Sequence, residues 1–265
     1  MDLPDAADPP RPGDGYVQSF ARGLSVIASF GPDAPTQTLT DVAQRTGLTR
    51  AGARRILLTL EALGYVESRG RHFALTARIL GLGFAYLSSL PLWQLAEPVM
   101  EAVVADVGEA CSAAVLDGAD IVYVLRVPTP NKIMNISLGV GSRLPAYCTS
   151  MGRLLLSELD VADLDRRLRR PPPVAHTTRT VTDVAALKAL VAEAGRQGWC
   201  LIDQELEDGL VSLAAPVRDR AGRMIAAMNV SGQVNRTSPD RMRDRVLPKL
   251  LAAADRVTQL IRMKP

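Results

Sequence analysis

Aromatic residues make up only 4% of the 265-residue chain, and histidine occurs only twice, at His72 and His176. Cores must therefore be built from Leu, Val, Ala and Ile, and multi-histidine metal motifs such as HExxH are excluded. The three cysteines, Cys111, Cys148 and Cys200, are odd in number, far apart and without a CxxC pair. That argues against a disulfide scaffold or a zinc ribbon and for a reducing compartment. No metal or other cofactor is expected. The longest apolar stretch, Ile79 to Trp93, is broken by Gly81, Gly83 and Pro91, and falls short of the roughly 20 residues a membrane span needs. Residues 1–15 are acidic and rich in Pro and Gly, without the basic and apolar regions of a signal peptide. They read as a disordered lead-in, and the protein is expected to be cytoplasmic with no membrane partner. A net charge of +3 is too small by itself to announce a nucleic-acid partner.

Length and composition are those of an ordinary globular protein with about two domains: 47% hydrophobic and 22% charged residues. Residues 16–76 read as one small unit. A first helix, with Ser19 as its cap, carries Leu24 and Ile27 and ends near Gly31. A second starts with Thr40 as cap and stops at Gly47. A third runs from Thr49 to Gly64, with Ala53, Ile56, Leu57, Leu60 and Leu63 at helical spacing on one face. Residues 65–76 suit a β-hairpin around Arg69-Gly70-Arg71, and a linker helix follows over 77–91.

Residues 92–265 read as a second domain of different pattern. A helix containing Pro98 is followed by a hairpin around Asp117-Gly118 and an extended stretch from Ile136 to Tyr147. Helices over 150–159 and 182–198 flank the Pro171-Pro172-Pro173 breaker. Three strands then precede a single helix opened by Ser238-Pro239 and running to about Met263. Strands grouped without regular βα alternation indicate an α+β class, with a mostly antiparallel sheet flanked by helices.

The short helix, glycine turn and longer amphipathic helix of residues 40–64 have the logic of a helix-turn-helix, whose second helix enters the major groove. Arg50, Ala51, Arg54 and Arg55 lie away from its apolar face. Arginine suits groove work because its planar fork matches guanine or phosphate in a bidentate manner. Gly52 is unusual within a helix, and either permits close approach to DNA or is incidental. Arg69 and Arg71 at the hairpin tip form a basic wing able to reach phosphate. Residues 16–90 carry eight arginines against four acidic residues, so the positive excess sits in this unit.

Long strings in order, among them YVQSFARGLSVIASFG, LTRAGARRILLTLEALGYV, RLPAYCTSMGRLLLSEL and DQELEDGLVSLAAPVRDRAG, resemble the IclR family of bacterial transcription regulators. They are most similar to its branch for protocatechuate, 4-hydroxybenzoate and β-ketoadipate metabolism. The resemblance implies a winged helix-turn-helix domain joined to a C-terminal effector-binding domain. It implies a homodimer through the N-terminal units or a homotetramer, on double-stranded operator DNA; RNA polymerase is a further partner in the alternative where the effector repositions the protein at fixed DNA affinity. Thr49, Arg50, Ala51, Gly52, Arg54, Arg55, Arg69 and Arg71 would face DNA. The effector pocket would be walled by Cys148, Thr149, Ser150, Met151 and Gly152, by Asp203 with Gln204 and Glu205, and by Ser212, Asn229 and Ser231.

The residues themselves offer a physical account of such a pocket. The start of the helix near Ser150 is a natural carboxylate site, and Ser150, Ser212, Asn229 and Ser231 can hydrogen-bond keto or hydroxyl groups. Met134 and Tyr147 can pack on a ring or an acyl chain. Asp203 and Glu205, two apart, would share a strand face and repel an anion, unless Glu205 serves an ion pair. The effector class is then a small organic acid such as 4-hydroxybenzoate, protocatechuate or β-ketoadipate. An enzyme using Cys148 as nucleophile or Asp203 and Glu205 as an acid–base pair is the alternative, but no histidine partner, nucleophile elbow or phosphate loop supports it. No catalytic residues are expected.

Overall fold

The computed structural model describes residues 15–89, 92–129 and 138–263. The chain divides into two compact units at the step from Leu90 to Pro91.

In the first unit, α1 spans Gln18–Ala28, β1 Thr36–Thr38, α2 Leu39–Thr46 and α3 Arg50–Ala62. Strands β2 (Val66–Arg69) and β3 (His72–Leu75) form the hairpin, and a 3₁₀ turn over Ala77–Ile79 leads into α4 (Leu80–Ser89). The helix starts differ from the sequence expectation. Val17, not Ser19, occupies the cap of α1, and it offers no side-chain hydrogen bond. The cap of α2 is Thr38, not Thr40: its hydroxyl accepts from Asp41 N, while the Asp41 carboxylate accepts from Thr38 N at 2.8 Å. This reciprocal pairing satisfies two orphan donors at once, which Thr40 has no partner to do. That backbone hydrogen bond from Thr38 is also the main reason the Asp41 carboxyl lies below its ordinary value.

Val26, Val42, Ala43, Ala53, Leu57, Leu60 and Val66 close the core of this unit. Leu63 stands outside it, 53% exposed, because α3 ends at Ala62 and the chain turns away. Strand β1, unforeseen in the sequence, pairs antiparallel with β3, giving the wing three strands in the order β1-β3-β2.

The second unit begins with α5 (Leu92–Val107), which continues through Pro98 as one helix. Strands β4 (Ala110–Asp117), β5 (Asp120–Val127) and β6 (Arg143–Pro145) follow, then α6 (Ser150–Leu156), α7 (Val161–Arg169) and α8 (Val184–Gln197). Strands β7 (Cys200–Asp203), β8 (Leu210–Arg218) and β9 (Met224–Gln233) complete one antiparallel sheet in the order β6-β5-β4-β9-β8-β7. Helix α7 had no counterpart in the sequence reading; Asp160 caps it by accepting from Asp163 N at 2.8 Å.

One face of the sheet buries Ala114, Ala214 and Ala227 against Met151, Leu154, Leu155, Leu187 and Val191 of α6 and α8. The alternate residues of β8, Val211, Leu213, Ala215 and Val217, are fully buried on the other face, and the helix over Leu247–Met263 packs on β8 and on α5. The closing helix expected after Ser238 runs without interruption from Pro239 to Met263, as α9 (Pro239–Arg241), a π-helical turn over Met242–Val246 that the sequence reading did not foresee, and α10 (Leu247–Met263). Pro248 explains the π turn: it has no N–H, and its ring crowds the carbonyl four residues back, so the turn before it widens.

Candidate functional site

Helix α3 presents its arginines as a helix-turn-helix requires. Ala53, Leu57 and Leu60 are buried, while Arg50, Ala51, Arg54 and Arg55 are exposed on the opposite side. Thr49 caps the helix, its hydroxyl accepting from Gly52 N at 3.1 Å. A methyl group at Gly52 would lie 3.2 Å from that same hydroxyl, so the glycine relieves crowding at the cap.

At the wing tip Gly70 adopts φ +66°, a left-handed conformation that a two-residue hairpin demands and that only glycine adopts cheaply. The flanking Arg71 is exposed. Arg69 pairs with Glu67 at 2.7 Å, so part of its charge is balanced within the wing; such an exposed pair adds little stability.

The second unit holds an open-mouthed cavity of about 610 Å³, part of it open to solvent, on the sheet face beneath the entry to α6. Seven of the thirteen residues that the sequence assigns to an effector pocket line it: Cys148, Thr149, Ser150, Met151, Ser212, Asn229 and Ser231. Strand register explains the grouping, since Ser212 pairs with Ser231 across β8 and β9 and Asn229 lies two residues from Ser231 on the same face. The Ser150 and Ser212 hydroxyls share a hydrogen bond of 2.7 Å, and Asn229 Nδ2 donates to Ser212 Oγ at 3.0 Å. Asn229 Oδ1 is buried and has no partner among the described residues. The floor of the cavity is thus a neutral network with spare hydrogen-bonding capacity. Its walls are apolar, from Leu138, Leu144, Ile202, Leu206 and Leu210, with Tyr123 and the acidic Glu207. Those wall residues were missed in the sequence. The available signal was the strand alternation that puts Leu210 on the same face as Ser212.

The other assigned residues are employed differently. Met134 lies outside the described residues. The Tyr147 hydroxyl donates to Val174 O at 2.6 Å and accepts from Val174 N at 3.0 Å, and its ring stacks on His176. Gly152 packs against the backbone of Ala146, which a methyl group would overlap. Asp203 and Glu205 do not share a strand face. Strand β7 ends at Asp203, and Gln204 takes a left-handed φ of +62°, which breaks the alternation. Asp203 pairs with Arg179, and Glu205 is held by Arg153 through hydrogen bonds of 2.8 and 2.6 Å.

The helix start expected to hold a carboxylate belongs to a helix of seven residues, and Thr149 already serves it. Thr149 Oγ1 accepts from Gly152 N at 3.2 Å, and its carbonyl from Arg153 N at 2.9 Å. Burial, aided by the negative Glu205, pushes the Cys148 thiol up to about 12, so it is not a thiolate at neutral pH. Among the described residues no His, Cys, Asp and Glu cluster could hold a metal ion, and no helix is long and apolar enough to cross a membrane.

Comparison with known proteins bears on both units. Residues 19–70 match the IclR helix-turn-helix domain and residues 84–259 the bacterial transcriptional regulator IclR C-terminal domain. The chain is 44% identical to the Pca regulon regulatory protein of Pseudomonas putida over 90% of this chain and 82% of that one. It is 34% identical to the p-hydroxybenzoate hydroxylase transcriptional activator of Acinetobacter baylyi, over 93% and 92% of the two chains. Its fold matches the crystal structure of an IclR homolog complexed with 4-hydroxybenzoate from Microbacterium hydrocarbonoxydans, with a TM-score of 0.79 and 27% identity over 93% of this chain and 100% of that one. With a basic helix-turn-helix in one unit, a polar-floored cavity in the other and a family match over each, the chain belongs to the IclR family of bacterial transcriptional regulators.

Proposed function

We propose that this protein is a ligand-responsive transcriptional regulator of aromatic-acid catabolism, acting in the cytoplasm. It binds operator DNA through Arg50, Arg54 and Arg55 of α3, with Arg69 and Arg71 of the wing on phosphate. Its effector is a small organic acid of the 4-hydroxybenzoate, protocatechuate or β-ketoadipate class. The observation that carries this reading is the cavity, whose apolar walls suit a ring or chain and whose Ser150–Ser212–Asn229 floor suits oxygen substituents. Effector binding changes operator affinity only as far as the effector distinguishes free from DNA-bound protein, or it acts through contact with RNA polymerase.

The functional unit is a homodimer, or a tetramer built from two dimers. Supporting this, the first unit exposes Phe20 and Leu24 on α1 and Leu80, Leu82 and Phe84 on α4, apolar surface that favours a second copy over water. Two copies place two recognition helices on one face of DNA, so the operator is a rough palindrome.

Catalysis is no part of the proposal: Cys148 stays protonated, and Asp203 and Glu205 are each occupied by an arginine. Isothermal titration with 4-hydroxybenzoate, protocatechuate, β-ketoadipate and a non-acid control tests the reading. Saturable binding of one acid supports it, and silence toward all three acids overturns the effector assignment.

A further inference from the structure

An acid in this cavity poses an electrostatic problem. Its described lining contains no lysine or arginine and one acidic residue, Glu207. A buried carboxylate without a cation nearby is costly. Arg143, Arg153 and Arg179, on elements that wall or adjoin the cavity, each hold a carboxylate of the protein: Asp117 with Asp120, Glu205 and Asp203 respectively.

Sheet register brings a further arginine to the same face. Arg126 on β5 pairs with Ser112 on β4, and Ser112 pairs with the floor residue Asn229 on β9. Directly paired residues of antiparallel strands point to one side, so Arg126, Ser112 and Asn229 form a row across the cavity side of the sheet. Neighbouring strands lie about 4.8 Å apart, which puts the Arg126 and Asn229 backbones about 10 Å apart. Arg126 is half-buried, and its Nη1 donates to Ser112 Oγ at 3.5 Å; it has further contacts as well. Its charge is felt in the cavity wall: burial pushes the Tyr123 hydroxyl up to about 12, and Arg126 acts against that rise.

We propose that Arg126 is the specificity-determining residue that selects an acid over its neutral analogue, the carboxylate lying toward β5 and the other end of the ring toward the Ser150–Ser212–Asn229 floor. This deepens the effector reading above and rests on it. The two poles are chemically distinct. A guanidinium attracts an anion, whereas the hydroxyls and amide of the floor serve a neutral hydroxyl that both donates and accepts. Glu207 in the wall opposes a second carboxylate, so an aromatic monoacid is the favoured class over a diacid.

The test compares 4-hydroxybenzoate with 4-hydroxybenzamide by isothermal titration of the full-length protein. Wild type should prefer the acid by about tenfold or more, the differential worth of one charged partner. Arg126→Gln should lose that preference while holding the amide within about twofold of wild type, which also shows that the variant is folded. Ser212→Ala should instead weaken both probes alike. Wild type binding acid and amide equally overturns the assignment whatever the variants do, as does an Arg126→Gln variant that keeps the acid preference. Wild type that binds neither probe overturns the assignment to Arg126, and the parent effector reading falls only when protocatechuate and β-ketoadipate are silent as well, so the two failures are distinguishable.

Discussion

Arg153 and Glu205 form a two-pronged ion pair inside the second unit, at 2.8 and 2.6 Å, with the two residues only 3% and 8% exposed. The pair joins α6, the helix that begins at the cavity, to the turn leaving β7, which supplies Leu206 and Glu207 to the cavity wall. Further bonds complete it: Arg153 Nε donates to Tyr147 O at 3.0 Å, and Glu205 Oε2 accepts from Val181 N at 3.3 Å. Such a pair contributes less to net stability than to holding two segments in one geometry, because desolvating both charges offsets most of their attraction.

Removing one partner leaves a buried charge alone. Glu205→Gln or Arg153→Met should each destabilise the protein by about 3–5 kcal/mol, and the double change Arg153→Met with Glu205→Leu by clearly less. Urea unfolding of the three variants checks this. A double variant no more stable than the singles would show that the charges are not coupled.

Gly152 sits where α6 meets the backbone of Ala146, and no side chain fits there. Gly152→Ala should cost several kcal/mol through backbone displacement, about the scale of overpacking a core and at its upper end. Thermal melts should show a large loss for Gly152→Ala and a small one for Gly139→Ala, where a methyl group meets nothing.

Arg50→Ala or Arg54→Ala removes a guanidinium fork from the recognition helix. Each change should weaken operator binding by about 1–3 kcal/mol if that fork holds a base edge in a bidentate manner, with effector binding unchanged. Titration of labelled operator by anisotropy gives the first quantity and calorimetry the second. If both variants keep wild-type operator affinity, the recognition-helix assignment is wrong.

Cys111, Cys148 and Cys200 are all buried, and burial is the chief cause that pushes each thiol up to about 12. An unfolded thiol titrates near 8.5, so the folded state binds more protons above that value. The stability linked to these groups is complete below about pH 8.5 and declines as pH rises toward 12. Iodoacetamide at pH 8 should therefore label the native protein slowly and the urea-unfolded chain quickly. Rapid labelling of all three thiols in the native state would contradict their burial.

Much of the architecture was legible in the sequence because it is set by local chemistry. Apolar spacing marked α3 and its buried face, Thr49 its start, and Gly70 the wing turn; strand-forming runs without βα alternation pointed to the antiparallel sheet. The choice between competing caps was not legible, since Thr38 wins over Thr40 through a partner three residues on. The π-helical turn before Pro248 and the end of β7 at Gln204 likewise depend on backbone geometry that residue types only suggest. Tertiary structure alone decided which polar residues meet. Ser150 reaches Ser212 across 62 positions, Arg153 takes Glu205 out of the pocket, and two strand pairings carry Arg126 to the row that contains Asn229. The physical reason is that helix and strand periodicity assign each side chain to a face, whereas register and packing between distant segments decide what that face encloses.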